Sequence, residues 1–250
     1  MLLLDSGNFS DNPTPGGDLK TKGLLQAMDR LGYQVVNVGE RDIRMGYAEF
    51  SRRTADTPFQ YISANIVDRK TKEPIFPPHA VVDAVSSDGK SHVRVGVIGI
   101  VRYNPTFLKS GPNGNIVIAH PRERVEAEME ALRKKNVDVV VLLAGLNKND
   151  AKAIATEVPG INFVLGSYGG MVTSAEETAG DATILYCGNR GQRIGETRVF
   201  FTDDTKQELK SRTNMLHILT RHYPPDQSML EFVSSIPREP KAPAATLSGS

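Results

Sequence analysis

The sequence predicts an α/β fold, with two packed sheets that carry helices on their outer faces. Three observations lead there. Apolar runs of strand length recur from the start of the chain to residue 201. Amphipathic helical patterns separate several of them. From residue 161 the order becomes strand, loop, strand, turn, strand, with no room for intervening helices. Strand–helix–strand units in series give a largely parallel sheet with helices outside, and the later half reads as more antiparallel.

In chain order the expected strands are LLLD (2–5), YQVVNVG (33–39), YISANIV (61–67), HAVVDAV (79–85), VRVGVIGIV (93–101), VDVVVLLAG (137–145), INFVLGS (161–167), ATILYCG (182–188) and GETRVFF (195–201). Many of these runs are continuous rather than alternating, which suits strands covered on both faces. VDVVVLLAG is the clearest. A helix is expected over 18–31, where Leu24, Leu25, Met28 and Leu31 share a face and Gly32 supplies the terminating residue. A second covers 122–135. It gathers Val125, Met129 and Leu132, with acidic residues early and Lys134 and Lys135 in the last turn, an order that complements the helix dipole. A shorter helix capped by Asn149 or Asp150 runs to Glu157.

Residues 1–202 read as one domain and residues 203–250 as a C-terminal arm. Within the arm, 203–222 carries a helical pattern and PPDQSMLEFVSSI a second short helix. PREPKAPAATLSGS is expected to be extended or disordered. Met215, Leu216, Ile218, Leu219, Met229, Leu230, Phe232 and Val233 need a surface to cover, either the domain's own or that of a protein partner.

The chain of 250 residues has 39% apolar and 24% charged residues, enough for a substantial core. A formal net charge of +1 gives no broad field drawing nucleic acid or anionic lipid. No Trp and only 6% aromatic residues weigh against base-stacking platforms. The one cysteine, Cys187, excludes an internal disulfide, a cysteine-based zinc site and a CxxC pair; within TILYCG it reads as a small buried core residue. No stretch approaches the ~18–20 apolar residues of a membrane span, and MLLLD lacks the basic and apolar regions of a signal peptide.

The segment VVNVGERDIRMG (35–46) raises the functional question. An apolar strand breaks at Gly39 into Glu40, Arg41, Asp42 and Arg44. In order along the chain, LLLDSGNFSD, LGYQVVNVGERDIRMG, YISANIVD, VGVIGIV, VDVVVLLAGLNKND, INFVLGSYGG and LYCGNRGQRIGETRVFF each resemble a landmark of the calcineurin-like metallophosphoesterases, specifically the 5′-nucleotidase branch. The resemblance covers roughly residues 2 to 201. It implies a four-layer α/β/β/α sandwich of two mixed sheets, with two divalent metals at the carboxyl ends of the strands. Such metals, ~3.5–4 Å apart, activate water and clamp the phosphate.

Compared with that family, the ligands are altered while the glycine and apolar framework stays. The opening Asp-x-His pair has no counterpart here; the chain starts at what resembles the family's second strand. The Gly-Asp motif, whose Asp bridges the metals, reads Gly7-Asn8. The Gly-Asn-His-Glu/Asp motif reads Gly39-Glu40-Arg41-Asp42: Glu40 replaces a metal-binding Asn, and Arg41 replaces the catalytic His and can neither deprotonate nor ligate metal. Asp42, the partner of that His, remains. Ser-His-x-Gly has become Leu143-Ala144-Gly145, and Gly-Gly-His-x-His has become Gly166-Ser167-Tyr168-Gly169-Gly170. The five histidines, His79, His92, His120, His217 and His222, fall on none of these positions.

Three readings follow. The first is a non-catalytic 5′-nucleotidase-like domain acting as a structural or protein-binding module through the 203–250 arm, with no cofactor expected. The second is a metal-dependent phosphoester hydrolase of nucleotidase type, using one or two divalent cations (Mn, Mg, Zn or Ca) and ligands completed by an upstream segment or partner. Its cation candidates here are Asn8, Glu40 and Asp42, and oxygen-only ligands favour Mg²⁺ or Ca²⁺. The third is an anion-binding protein that uses Arg41 in the old cleft; Asn65 of SANI matches a family position near that cleft, as a ligand-binding candidate or, the favoured reading, as a residue that hydrogen-bonds loop backbone. The family's C-terminal nucleoside-gripping domain does not fit within residues 203–250, and family members are usually exported, which points to the periplasm or the cell surface. SGPNGN (110–115) and CGNRGQRIG read as architecture.

Overall fold

A computed structural model describes residues 1–12, 14–86, 89, 92–107, 114–201 and 209–237. Its elements begin β1 (Leu4–Asp5), α1 (Pro15–Leu31), β2 (Val35–Asn37), α2 (Tyr47–Thr54), β3 (Gln60–Ile62) and β4 (Ile66–Asp68). They continue β5 (His79–Val85), β6 (His92–Val101), β7 (Ile116–Ile118), α3 (Pro121–Lys134), β8 (Val139–Gly145) and α4 (Lys148–Glu157). The last are β9 (Phe163–Gly166), β10 (Glu177–Ala179), β11 (Ala182–Tyr186), β12 (Arg193–Phe201), β13 (Leu209–Ile218) and α5 (Gln227–Ser235).

The α/β class holds, with two sheets at the centre. One is three-stranded and parallel, ordered β1-β2-β3. The other is six-stranded and mixed, ordered β10-β11-β9-β8-β6-β5, with β6, β8, β9 and β11 parallel. β4 and β7 form a separate antiparallel ribbon, and so do β12 and β13.

Strand β8 shows why continuous apolar runs were informative. All seven of its residues are buried. Val140, Leu142 and Ala144 join the core made with Val125, Met129 and Leu132 of α3 and Ala151, Ile154 and Ala155 of α4. Val139, Val141 and Leu143 join the core shared with Val35 of β2 and Ile62 of β3. The period of two sends alternate residues to opposite faces, so a strand packed on both sides has no polar positions. On the far side of the smaller sheet, Leu25 and Met28 of α1 pack with Val36 and Phe59. Helix α1 starts at Thr14, whose side chain accepts the Gly17 N–H, and ends at Gly32 with φ +80.

Several expectations need correction. The helix expected over 203–222 is strand β13, paired antiparallel with β12 from Arg193↔Ile218 to Phe201↔Leu209. Thr213, Met215 and His217 alternate with Arg212, Asn214 and Leu216, and the ladder to β12 outweighs a weak helical period. Residues 202–208 lie outside the described residues, as do the tail from 238 and positions 110–113 of SGPNGN. The run 61–67 is two strands, because the chain turns at Ser63-Ala64-Asn65. Helix α4 is capped by Asn147, which accepts the Asp150 N–H. Cys187 is exposed, not buried. It follows Leu185 on the same face of β11, one step past the inter-sheet cover that Leu185 reaches. The second half is only partly antiparallel, since β9 and β11 run parallel. Helix α2 and strands β7 and β10 had no clear sequence signal.

Two glycines set how closely the layers approach. A Cβ on Gly96 would lie 2.7 Å from Leu132 Cδ1, on the helix side of β6. A Cβ on Gly99 would lie 2.4 Å from Asn37 Oδ1 and 2.9 Å from the Ile62 carbonyl, on the inter-sheet side. Leu132 offers a rotatable side-chain end, whereas Ile62 offers backbone. Gly99→Ala is therefore expected to cost about 2–4 kcal/mol and Gly96→Ala about 1 kcal/mol, read by urea denaturation; equal costs would contradict this spacing.

Candidate functional site

The loops that carry the altered motifs meet at the carboxyl ends of β1, β2, β6, β8 and β9. Side chains stitch these ends together. Ser6 Oγ donates to the Leu165 carbonyl (2.8 Å), and Ser167 Oγ donates to the Ser6 carbonyl (2.9 Å). Asn37, fully buried, donates through Nδ2 to the carbonyls of Ser6 (3.2 Å) and Ile100 (3.0 Å). Its Oδ1 is buried without a hydrogen-bond partner among the described residues. Sequence reasoning missed Ser6, Asn37 and Ser167. Their signal was a polar residue inside or just beyond an apolar strand.

Asp42 is the centre of the site. Its side chain is buried, at 3% exposure. Oδ2 accepts the N–H groups of Asn8 (2.7 Å) and Gly39 (2.8 Å), and Oδ1 accepts that of Ser10 (2.8 Å). One carboxylate thus ties the loop after β1 to the loop after β2. Burial pushes its carboxyl up to about 6, while the three backbone donors pull against that rise. Asn8 completes the joint from the other side. It sits at φ +66, a region asparagine tolerates better than most residues. Its Oδ1 accepts the Arg41 N–H at 3.0 Å. A Cβ on Gly39 would lie 2.3 Å from that Oδ1, so glycine is required for the contact.

The other sequence-predicted residues divide. Asn65 is buried, and its amide is spent on backbone: Nδ2 donates to the carbonyls of Val101 (2.7 Å) and Ala119 (2.9 Å), and Oδ1 accepts the Val101 N–H (2.9 Å). Glu40 lies 3.8 Å from Arg102 Nη2, and its buried Oε1 has no hydrogen-bond partner among the described residues. Arg41 projects outward, with Nη2 at 4.0 Å from Asp11. The histidines are elsewhere. His79 bridges Glu128 and Lys135 (2.5 and 2.7 Å), His217 pairs with Glu196 (2.7 Å), and the His120 ring packs at a tilt against that of Tyr103.

A two-metal centre does not fit these groups. Asp42 and Asn8 present their oxygens to backbone N–H donors. Glu40, a carboxylate with an acceptor atom to spare, stands beside a guanidinium. Two dications need several oxygen or imidazole ligands around them. Among the described residues, no group of three or more His, Cys, Asp or Glu is placed to hold a metal ion.

Comparison with known proteins places this geometry in a family context. No family model matches the chain. It is 27% identical over 202 residues to the 2′,3′-cyclic-nucleotide 2′-phosphodiesterase/3′-nucleotidase of Yersinia enterocolitica, covering 71% of this chain and 30% of that protein. It is 23% identical over 262 residues to the 5′-nucleotidase of Bos taurus, covering 98% of this chain and 43% of that protein. Its homologues are nucleotidases. The chain spans less than half the length of these nucleotidase relatives. The fold agrees: a 5′-nucleotidase precursor from Thermus thermophilus superposes with a TM-score of 0.76 at 20% identity, over 94% of this chain and 48% of that one. The calcineurin-like phosphoesterase YfkN of Bacillus subtilis gives 0.75 at 16% identity, over 93% of this chain and 81% of that one. The mixed α/β architecture with metallophosphoesterase-like neighbours, expected from the sequence, is therefore the fold of this chain, and the homologues agree with the nucleotidase resemblance; of the two sheets expected to be mixed, the smaller, β1-β2-β3, is wholly parallel.

Asp42 makes a prediction that separates its role from that of a catalytic acid. Asp42→Ala leaves three N–H donors, two of them buried, without their acceptor and is expected to cost roughly 2–4 kcal/mol at pH 7. The pH dependence has a definite sign. The folded value of about 6 lies above the ordinary 3.8, so between these two the folded state holds a proton that the unfolded state has lost. Wild-type stability, measured against Asp42→Ala, should fall from pH 4 to pH 6 and level off above. A difference that rises over that interval would contradict the burial assigned to this carboxyl.

Proposed function

We propose that this chain is a nucleotidase-fold domain that acts as a binding or structural module, without hydrolysing phosphoesters through its own residues. The supporting observation is the commitment of Asp42, whose two oxygens hold the backbone of three residues. Three of the roughly four lone-pair sites of that carboxylate are spent on backbone, and Arg41, which can neither deprotonate nor ligate metal, stands where the family's catalytic imidazole would be. The remaining polar groups of the old motifs, Asn8 and Asn65, also serve backbone.

A second reading, a metal-dependent phosphoester hydrolase of nucleotidase type, is favoured by the homologues. In that reading Glu40 contributes one ligand, and the rest of the metal site comes from chain or partner residues beyond those described. Among the described residues no helix is long and apolar enough to cross a membrane, and the family resemblance supports a periplasmic or cell-surface placement. The partner surface proposed for the module is the C-terminal arm. Helix α5 sets Phe232 under Arg30 of α1, 4.1 Å from guanidinium carbon to ring centroid, and leaves Leu230 and Val233 about half exposed.

The deciding assay offers the full chain 5′-AMP, 3′-AMP and 2′,3′-cyclic AMP with Mn²⁺, Zn²⁺, Mg²⁺ or Ca²⁺. The expected turnover is below about 0.001 s⁻¹, against about 1–1,000 s⁻¹ for ordinary enzymes. EDTA-sensitive turnover in the ordinary range would put the hydrolase reading first.

A further inference from the structure

The core between the two sheets is sealed along β8 and open beside it. Val139, Val141 and Leu143 of β8 face the smaller sheet and are at most 6% exposed. Leu165 of β9 and Leu185 of β11 face the same way, yet both are only half-buried. The helix-facing side of these two strands is closed, with Val164, Ala182 and Ile184 fully buried. The missing cover therefore lies on the side of the smaller sheet.

The strands above the opening account for it. β3 packs against β5, and β2 packs against β6. At the other side β12 reaches the end of β11, where a Cβ on Gly195 would lie 3.8 Å from Cys187 Cβ. Between these points the larger sheet has two strands, β8 and β9, and the layer above has one, β1. Neighbouring strands lie about 4.8 Å apart, so the upper layer falls one strand short. β1 pairs with β2 and β12 with β13, and among the described residues no ladder joins β1 to β12. Each presents an unpaired edge to the opening. Leu4 of β1 and Val199 and Phe201 of β12 stand beside it, half-buried, in the same core as Leu165 and Leu185. Ser6 closes one end through its hydrogen bonds to the Leu165 carbonyl and from Ser167.

We propose that the gap between β1 and β12 accepts one extended peptide strand from outside these 250 residues, with apolar side chains at alternate positions. Unpaired N–H and C=O groups on both edges call for a peptide backbone between them. The period of two then sets every second side chain of that backbone onto Leu165 and Leu185. A helix, about 10 Å across, is too wide for a gap of one strand. The added strand joins the three-stranded sheet to the β12-β13 ribbon, and the resulting layer covers all of its six-stranded counterpart. This goes beyond the module reading, whose partner surface is the C-terminal arm, and does not depend on it.

The test adds to the full chain a dye-labelled peptide of about eight residues that alternates valine with lysine or threonine, followed by anisotropy and by amide hydrogen exchange. Saturable binding is expected, with slowed exchange in residues 2–5 and 193–201. A peptide of the same composition with its valines adjacent, and one N-methylated at every second residue, should each bind at least about tenfold more weakly. Both controls leave the protein unaltered. Leu185→Lys should weaken binding to a similar degree, whereas Ile194→Lys, at an exposed position on the outward face of β12, should leave it unchanged. No saturable binding, equal binding of the N-methylated peptide, or slowed exchange confined to α5 would overturn the proposal. Metal-dependent turnover of AMP would overturn the non-hydrolytic reading and leave the peptide result intact.

Discussion

The Asp42 carboxylate, buried between two loops, is the contact on which the site depends. It accepts the N–H groups of Asn8, Ser10 and Gly39. Without it, the loop after β1 and the loop after β2 would each carry buried donors with nothing to receive them. A buried charge costs free energy unless hydrogen bonds surround it. Here three donors offset that cost only in part, which is why the carboxyl is shifted upward.

The same logic extends around the carboxyl ends of the strands. Asn37 and Asn65 use their amides to close backbone groups where strands stop pairing, at Ser6, Ile100, Val101 and Ala119. Ser6 and Ser167 join the two sheets at that edge. The described polar residues at this edge are engaged with backbone groups, and the outward side of the Gly39 turn presents Arg41 and Arg44 to solvent.

Much of the fold could be read in the sequence, for an identifiable reason. Strands such as β8, covered on both faces, leave an unbroken apolar run that helices of this length do not imitate. Helix α1 announced its end through Gly32. Strand β13 was not legible, because Thr213, Met215 and His217 face solvent or a single partner strand, so its pattern is set by pairing with β12 and not by a core. Cys187 was misread because its neighbours in sequence are buried while its own position lies past the edge of their cover. At the site, the residue types at the ends of the strands, Asn8, Glu40, Arg41 and Asp42 among them, could be read directly. The role of Asp42 was not, since its partners are backbone groups some 30 residues away, at Asn8 and Ser10, and backbone donors leave no mark in a sequence.

The most direct test of this account is the metal stoichiometry of the purified full chain, by mass spectrometry after incubation with Mn²⁺, Zn²⁺, Mg²⁺ and Ca²⁺ and desalting. If Asp42, Asn8 and Asn65 are committed to backbone as described, no transition metal is retained in stoichiometric amount. About two tightly held metals per chain would contradict that commitment and return the cleft to the hydrolytic chemistry of its relatives.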